Sequence, residues 1–171
     1  MPFDPELLVT SEARLWKLIE ERATDGADLE AIDARIWELF GEEWAIVFTD
    51  LTGFSRRTSE FGILHFLQVI YTANKLLFPV VHENDGLIVK SEGDSLMLLF
   101  RTPSRALGCA LEMQRTAQQA SARMVAEDKV ILCVGIGYGK VLRVGEHDVW
   151  GREVNTRANS ARTRRSQMRF S

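Results

Sequence analysis

Asp50 closes the apolar run in "VFTDLTGF", and Asp94 sits at the edge of a second apolar run in "VKSEGDSLM". Two carboxylates brought together repel unless one is protonated or a cation lies between them. Paired oxygen donors suit a hard divalent cation such as Mg²⁺ or Mn²⁺, which commonly also holds substrate phosphates. The turn "DLTGF" supplies consecutive backbone N–H groups before a helix N-terminus, a geometry that binds phosphate. Each residue also has a structural reading: Asp50 as the cap of the following helix, Asp94 as an ordinary turn residue. The two together, with the Gly53 turn, favour the metal.

Such a site needs elements that bring the two segments side by side. From Trp44 the chain reads as a short strand "WAIVF", then a long helical region to about Glu83 that Pro79 kinks near its end. A turn at "NDG" leads into "LIVKS" and "SLMLLFR", two strands of a hairpin around "EGD". "TPSRALGCALEMQRTAQQASARM" reads as a helix with Pro103 near its start. "KVILCVGIGYG" is a strand whose Gly135, Gly137 and Gly139 alternate, leaving one face nearly bare for a backbone or ligand. "KVLRVG" reads as a further short strand, and a helix begins near Gly151. The order β-α-β-β-α-β-β-α predicts an α+β, ferredoxin-like (split βαβ) fold, with an antiparallel-rich sheet covered by helices on one face. In that topology the first and third strands are central neighbours, so Asp50 can sit beside Asp94. A doubly wound dinucleotide fold fits poorly, because the hairpin lacks a crossover helix. Ahead of this unit, residues 1–43 carry two helical patterns, the first opening on Ser11 as a half-signalled cap.

Composition narrows the function classes. With 171 residues, 46% hydrophobic and 26% charged, the chain suits one compact domain. A net charge of −3 provides no basic field for a nucleic acid polymer or an anionic membrane. Cys109 and Cys133 lie within apolar patterns and read as buried free thiols of a reducing compartment. "FGILHFLQVIYTANKLLFPVV" is interrupted by His65, Gln68, Asn74 and Lys75, so it reads as a core helix and not a membrane span. The N-terminus has no basic region followed by an apolar one, so no secretory signal is expected and the protein is expected in the cytoplasm.

"FTDLTGFSRRTSEFG", "VKSEGDSLMLLF" with "SRALGCALEMQ", "VGIGYGKVL" and "DVWGREVN" resemble, in order and spacing, the signature blocks of class III nucleotide cyclases of bacterial type. The resemblance covers about residues 44–156 and implies a palm-type catalytic domain there. By that resemblance Asp50 and Asp94 hold two Mg²⁺ or Mn²⁺ ions per site, with the Leu51 carbonyl as a further ligand. Thr52, Gly53 and Phe54 form the phosphate loop. The base-reading positions fall on Lys90 and Asp148. A lysine donor and an aspartate acceptor match the N1 acceptor and N6 amino donor of adenine, so ATP is the implied substrate. Taken alone, Lys90 is an edge-strand lysine and Asp148 a helix N-cap. Asn155 resembles the asparagine that orients the ribose. The family shares its sites between protomers, so the resemblance implies a homodimer.

The pattern breaks at Asn159, where the family places a transition-state arginine; Arg157 and Arg162 flank it out of register. Residues 157–171, "RANSARTRRSQMRFS", hold five arginines and no acid after an acidic chain. They are read either as a basic helical tail or as the product of a shifted reading frame, since a neighbouring frame permits "ELGED", similar to a segment of bacterial relatives. Two readings follow: an adenylate cyclase domain, or a cyclase-homology module that binds nucleotide or dimerises but turns over poorly. A diguanylate cyclase would need a "GG[DE]EF" turn, and "SEGDS" lacks it.

Overall fold

Capping side chains set where the first two helices begin. In the computed structural model, which describes residues 10–145 and 148–154, α1 spans Ser11–Arg22 and α2 spans Leu29–Phe40. The cap of α1 is Thr10, one residue before the expected Ser11; its hydroxyl accepts from the Ala13 amide at 3.2 Å. Asp28 does the same for α2, accepting from the Ala31 amide at 3.1 Å. Such caps satisfy amides that a helix start leaves unpaired and stabilise it by about 1 kcal/mol. The Arg22 guanidinium forks onto the Asp33 carboxylate and ties the two helices together.

Among the described residues the sheet contains five strands in the order β2-β3-β1-β4-β5, all neighbours antiparallel. They are β1 (Gly41–Leu51), β2 (Leu87–Glu92), β3 (Ser95–Phe100), β4 (Leu132–Val144) and β5 (Asp148–Trp150). Between them lie α3 (Phe54–Phe61), α4 (Ile63–Glu83) and α5 (Pro103–Ser121). The expected neighbours β1 and β3 do lie side by side. Several boundaries differ from expectation: β1 starts at Gly41 and not at Trp44, and Asp148–Trp150 forms an additional strand. The helical region after Gly53 is broken at Gly62, whose φ of +85° ends α3 before α4 starts, whereas α4 continues through Pro79. "KVLRVG" is not a separate strand but the second half of β4: Gly139 lies in register opposite Trp44, and pairing runs on to Leu142 opposite Gly41. A glycine inside a strand marks a close approach and need not end it.

Alternation along the strands sorts the side chains. Ala45, Val47 and Leu51 of β1, with Leu96, Leu98 and Phe100 of β3, pack against Val69, Ala73, Leu77 and Val81 of α4 and Cys109 and Met113 of α5. At the other end of the same face, Leu142 and Val144 pack with Leu15, Leu18, Ile32, Ile36 and Phe40 of the first two helices. Each fully buried Leu, Val or Phe here contributes about 1.5–3 kcal/mol. α4 is long and apolar enough to cross a membrane by length and composition, yet Phe66, Val69, Ala73 and Leu77 turn one of its faces into this core.

The opposite face carries Trp44, Ile46, Val89, Met97, Leu99, Val141 and Val149, a cluster to which α1–α5 contribute no residue. Its members include Val89 of β2 and Val149 of β5, the two edge strands. In a flat sheet, four strand spacings would hold those edges about 19 Å apart. Lys90 of β2 and Asp148 of β5 nevertheless lie 3.8 Å apart, which requires a sheet curled about this face. Gly135, Gly137 and Gly139 stand opposite Phe48, Ile46 and Trp44, so the concave side of β4 is stripped of side chains where the curl is tightest. Gly151 serves the same closure: a Cβ there would lie 2.9 Å from Val141 Cγ1.

Candidate active site

The end of β1, the β2–β3 turn and the start of β4 converge at one end of the concave face. Asp50 is the Cα partner of both Ser95 on β3 and Cys133 on β4. The turn is two residues long, Gly93 and Asp94, with Gly93 at φ +56°, a conformation that glycine adopts without strain. Asp94 therefore sits next to the cross-strand partner of Asp50, and is only 8% exposed. The Ser95 hydroxyl donates to Asp50 Oδ1 at 3.3 Å. Asp50 does not cap the following helix: the residue at the N-cap of α3 is Gly53, which makes no side-chain cap bond.

Among the described residues, no cluster of three or more His, Cys, Asp or Glu side chains is arranged to hold a metal. The donor set is two carboxylates. That set fits Mg²⁺ or Mn²⁺, ions that take few protein oxygens and complete their shell with water and substrate phosphate. Leu51, whose carbonyl is the expected further ligand, is the last residue of β1, its side chain buried toward the helices.

The loop after Asp50 is fixed at both ends. The Thr52 amide donates to the Ile131 carbonyl at 2.9 Å, so it is already engaged. Gly53 follows at φ +84°, and Phe54 opens α3, whose first-turn amides have no intrahelical acceptors. The Arg57 guanidinium, one turn on, donates to the Lys129 carbonyl and pins α3 to the segment before β4.

Lys90 and Asp148, 58 positions apart in sequence, meet. Lys90 Nζ lies 3.8 Å from Asp148 Oδ1, with side chains 44% and 47% exposed. A register shift between Ile88 and Lys90 makes this possible: Ile88 pairs with Leu98 and Lys90 with Met97, so Val89 is an extra residue. Val89 and Lys90 therefore share the concave side, Val89 buried in the cluster and Lys90 above it. Asp148 begins β5 and caps no helix. Asn155, Asn159 and the tail 157–171 lie outside the described residues.

At the far end of this face Trp44 is 2% exposed, with the Arg101 guanidinium 3.9 Å and that of Arg143 5.3 Å from its ring centroid. Its indole N–H and Arg143 both engage Glu42, which makes the group a closed structural cluster. Cys133 is exposed, contrary to the expectation of a buried thiol, because it points to the concave face beside Asp50 and away from the helices of the main core. Cys109 is buried in the main core; desolvation, reinforced by the Glu112 charge, pushes its thiol up to about 11. Ser95 was not singled out by sequence reasoning, although its place directly after a two-residue turn fixes it opposite Asp50.

Comparison with known proteins agrees with this geometry. The family model for the adenylate and guanylate cyclase catalytic domain matches residues 41–167. The serine/threonine-protein kinase pkn2 of Myxococcus xanthus is 32% identical over 97 residues, covering 57% of this chain and 12% of that protein. A Rhizobium meliloti (strain 1021) protein named as an adenylate cyclase is 29% identical over 115 residues, covering 67% of this chain and 19% of that protein. The chain thus spans about a fifth or less of the curated relatives it matches. Among solved structures, an adenylate/guanylate cyclase/hydrolase from Silicibacter pomeroyi superposes with a TM-score of 0.59 at 28% identity, covering 68% of this chain and 67% of that one. A bacterial light-regulated adenylyl cyclase shares the fold, with a TM-score of 0.63 at 20% identity over 72% of this chain and 71% of that one. The antiparallel sheet with its helices is the shared architecture, and the chain belongs to the adenylate and guanylate cyclase catalytic domain family.

Proposed function

We propose that this domain converts ATP to 3′,5′-cyclic AMP and pyrophosphate, with Asp50 and Asp94 holding two divalent cations, Mg²⁺ or Mn²⁺. The observation that carries the choice of base is the Lys90–Asp148 pair at 3.8 Å. Adenine presents an acceptor, N1, beside an amino donor, N6; an ammonium and a carboxylate side by side complement both at once. Guanine reverses the two groups and would meet donor with donor and acceptor with acceptor.

In the reaction the ribose 3′-oxygen bonds to the α-phosphorus and the bond to the bridging α–β oxygen breaks. Pyrophosphate leaves with the electron pair, and the hydroxyl proton passes to solvent. Bound cations would lower the pKa of that hydroxyl and neutralise phosphate charge. The chain's own groups position: Lys90 and Asp148 the base, Asp50 and Asp94 with the Leu51 carbonyl the triphosphate through its cations, Gly53 and Phe54 amides with the Thr52 side chain the phosphates. Asn155 is proposed to orient the ribose. A homodimer in the cytoplasm belongs to the same reading; the concave face, to which α1–α5 contribute no residue, supports it as the surface on which a second copy can close the sites.

The test is product formation by purified protein with ATP and Mn²⁺, wild type against Asp50→Ala. Cyclic AMP from the wild type alone is the expected result. Equal product from Asp50→Ala, or a preference for GTP, refutes the assignment. Asn159, where the resemblance expects an arginine, favours a second reading in which nucleotide binds without turnover, since losing such a cation costs about 10²–10³ in rate. Calorimetric ATP binding without product supports that reading.

A further inference from the structure

We propose that Ser95 is a positioning residue for the cation-binding carboxylate of Asp50, an inference that rests on the metal reading above. Three observations converge on it. The two-residue turn at Gly93–Asp94 makes Glu92 and Ser95 the closing pair of the hairpin, so Ser95 cannot slide along β3 without breaking the turn. The β1–β3 register makes Ser95 the direct partner of Asp50, which puts both side chains on the same face. The hydroxyl donates to Asp50 Oδ1 at 3.3 Å in a part-buried setting.

The consequence follows from the lone pairs. An ionised carboxylate offers about four acceptor sites on two oxygens. The serine bond holds one of them and restrains the rotation of the group. Loss of that bond removes a restraint on the carboxylate, and part of its ordering then falls to the cation that binds. Partners that hold a metal ligand in this way tune affinity strongly; removing one typically costs 10–100-fold.

The experiment is a Mn²⁺ titration of the full chain, followed by the electron paramagnetic resonance signal of free Mn²⁺, with ATP absent and then present. Ser95→Ala is expected to weaken Mn²⁺ binding about tenfold while its thermal unfolding midpoint stays near that of the wild type. Ser95→Thr keeps the hydroxyl and suits a strand, so it should bind within about twofold of wild type. Ser95→Val has the shape of threonine without the donor and should behave like alanine. That pair keeps the proposal testable if the alanine variant folds poorly. Equal Mn²⁺ affinity in the Thr and Val variants overturns the role of Ser95. If wild-type binding does not depend on Asp50, tested with Asp50→Ala, the metal reading fails and this inference fails with it. Asp50-dependent binding that ignores Ser95 defeats the inference alone.

Discussion

Replacing Lys90 by methionine separates a base-reading role from a structural one, because the two roles have different magnitudes. The Lys90–Asp148 ion pair spans 3.8 Å between side chains nearly half exposed. Coulomb's law at that separation gives about 1 kcal/mol in water and about 4 kcal/mol at an effective dielectric of 20. Exposed pairs lose most of this to solvation and side-chain entropy and retain about 0–1 kcal/mol. Methionine keeps the unbranched stem over Val89 and Val149, so folding should lose at most about 1 kcal/mol, a midpoint shift of about 2–4 °C. A charge-assisted hydrogen bond to adenine N1 contributes about 1.5–3 kcal/mol, or about 10–150-fold in affinity. GTP offers no acceptor there and should be affected little. The assay is displacement of a fluorescent nucleotide by ATP and by GTP with Mn²⁺, alongside thermal unfolding and cyclic-product analysis. The expected outcome is an ATP-to-GTP preference reduced at least tenfold with a nearly unchanged midpoint. An unchanged preference refutes base reading by Lys90, and equal loss for both nucleotides with a collapsed midpoint shows a structural role instead. A double-mutant cycle with Asp148→Asn adds a second check: coupling should be larger with ATP bound than without it.

Other outcomes follow from the core. Gly86→Ala places a methyl group 2.6 Å from Phe100 Cζ and 2.7 Å from Val81 Cγ1, so urea unfolding should show a loss of about 1–3 kcal/mol. Iodoacetamide at pH 8 should label Cys133 and spare Cys109, since the first is exposed and the second is buried with its thiol raised to about 11; equal labelling of both in native protein contradicts the packing of α5. The raised Cys109 value also gives a pH dependence. An unfolded thiol begins to ionise near pH 9 while the folded one stays protonated, so stability present below pH 9 declines between about pH 9 and 11, and Cys109→Ala should lack that decline. Gly53→Val forces a branched residue to φ +84°, which costs about 1–2 kcal/mol and should weaken nucleotide binding beyond its effect on folding.

Much of the fold was legible because its signals are local. Apolar spacing marks α2, α4 and α5, the "NDG" and "EGD" turns bracket the β2–β3 hairpin, and split-βαβ connectivity then makes β1 and β3 neighbours. Asp50 and Asp94 could be paired on that ground alone. The failures are equally physical. The expectation divides "KVILCVGIGYGKVLRVG" into two strands, whereas pairing with β1 runs through Gly139 and Lys140 without a break. A buried Cys133 would need cover on both faces of the sheet, whereas α1–α5 cover only one and Cys133 points to the other. Thr10 displaced Ser11 as the cap of α1, a difference of one residue that propensity does not resolve, as both side chains cap well.

The sequence by itself determined the β2–β3 hairpin and the placing of the two aspartates at adjoining strand ends, because turn chemistry and side-chain alternation act over a few residues; the register, with Glu92 paired to Ser95 and an extra residue at Val89, came from the tertiary structure. Only the tertiary structure decided that Lys90 and Asp148 lie 3.8 Å apart. They belong to opposite edges of the sheet, and nothing local to either residue specifies the distance between them. That distance is set by curvature accumulated over five strands, by the bare glycine face of β4 that permits it, and by the single extra residue at Val89 that turns Lys90 inward.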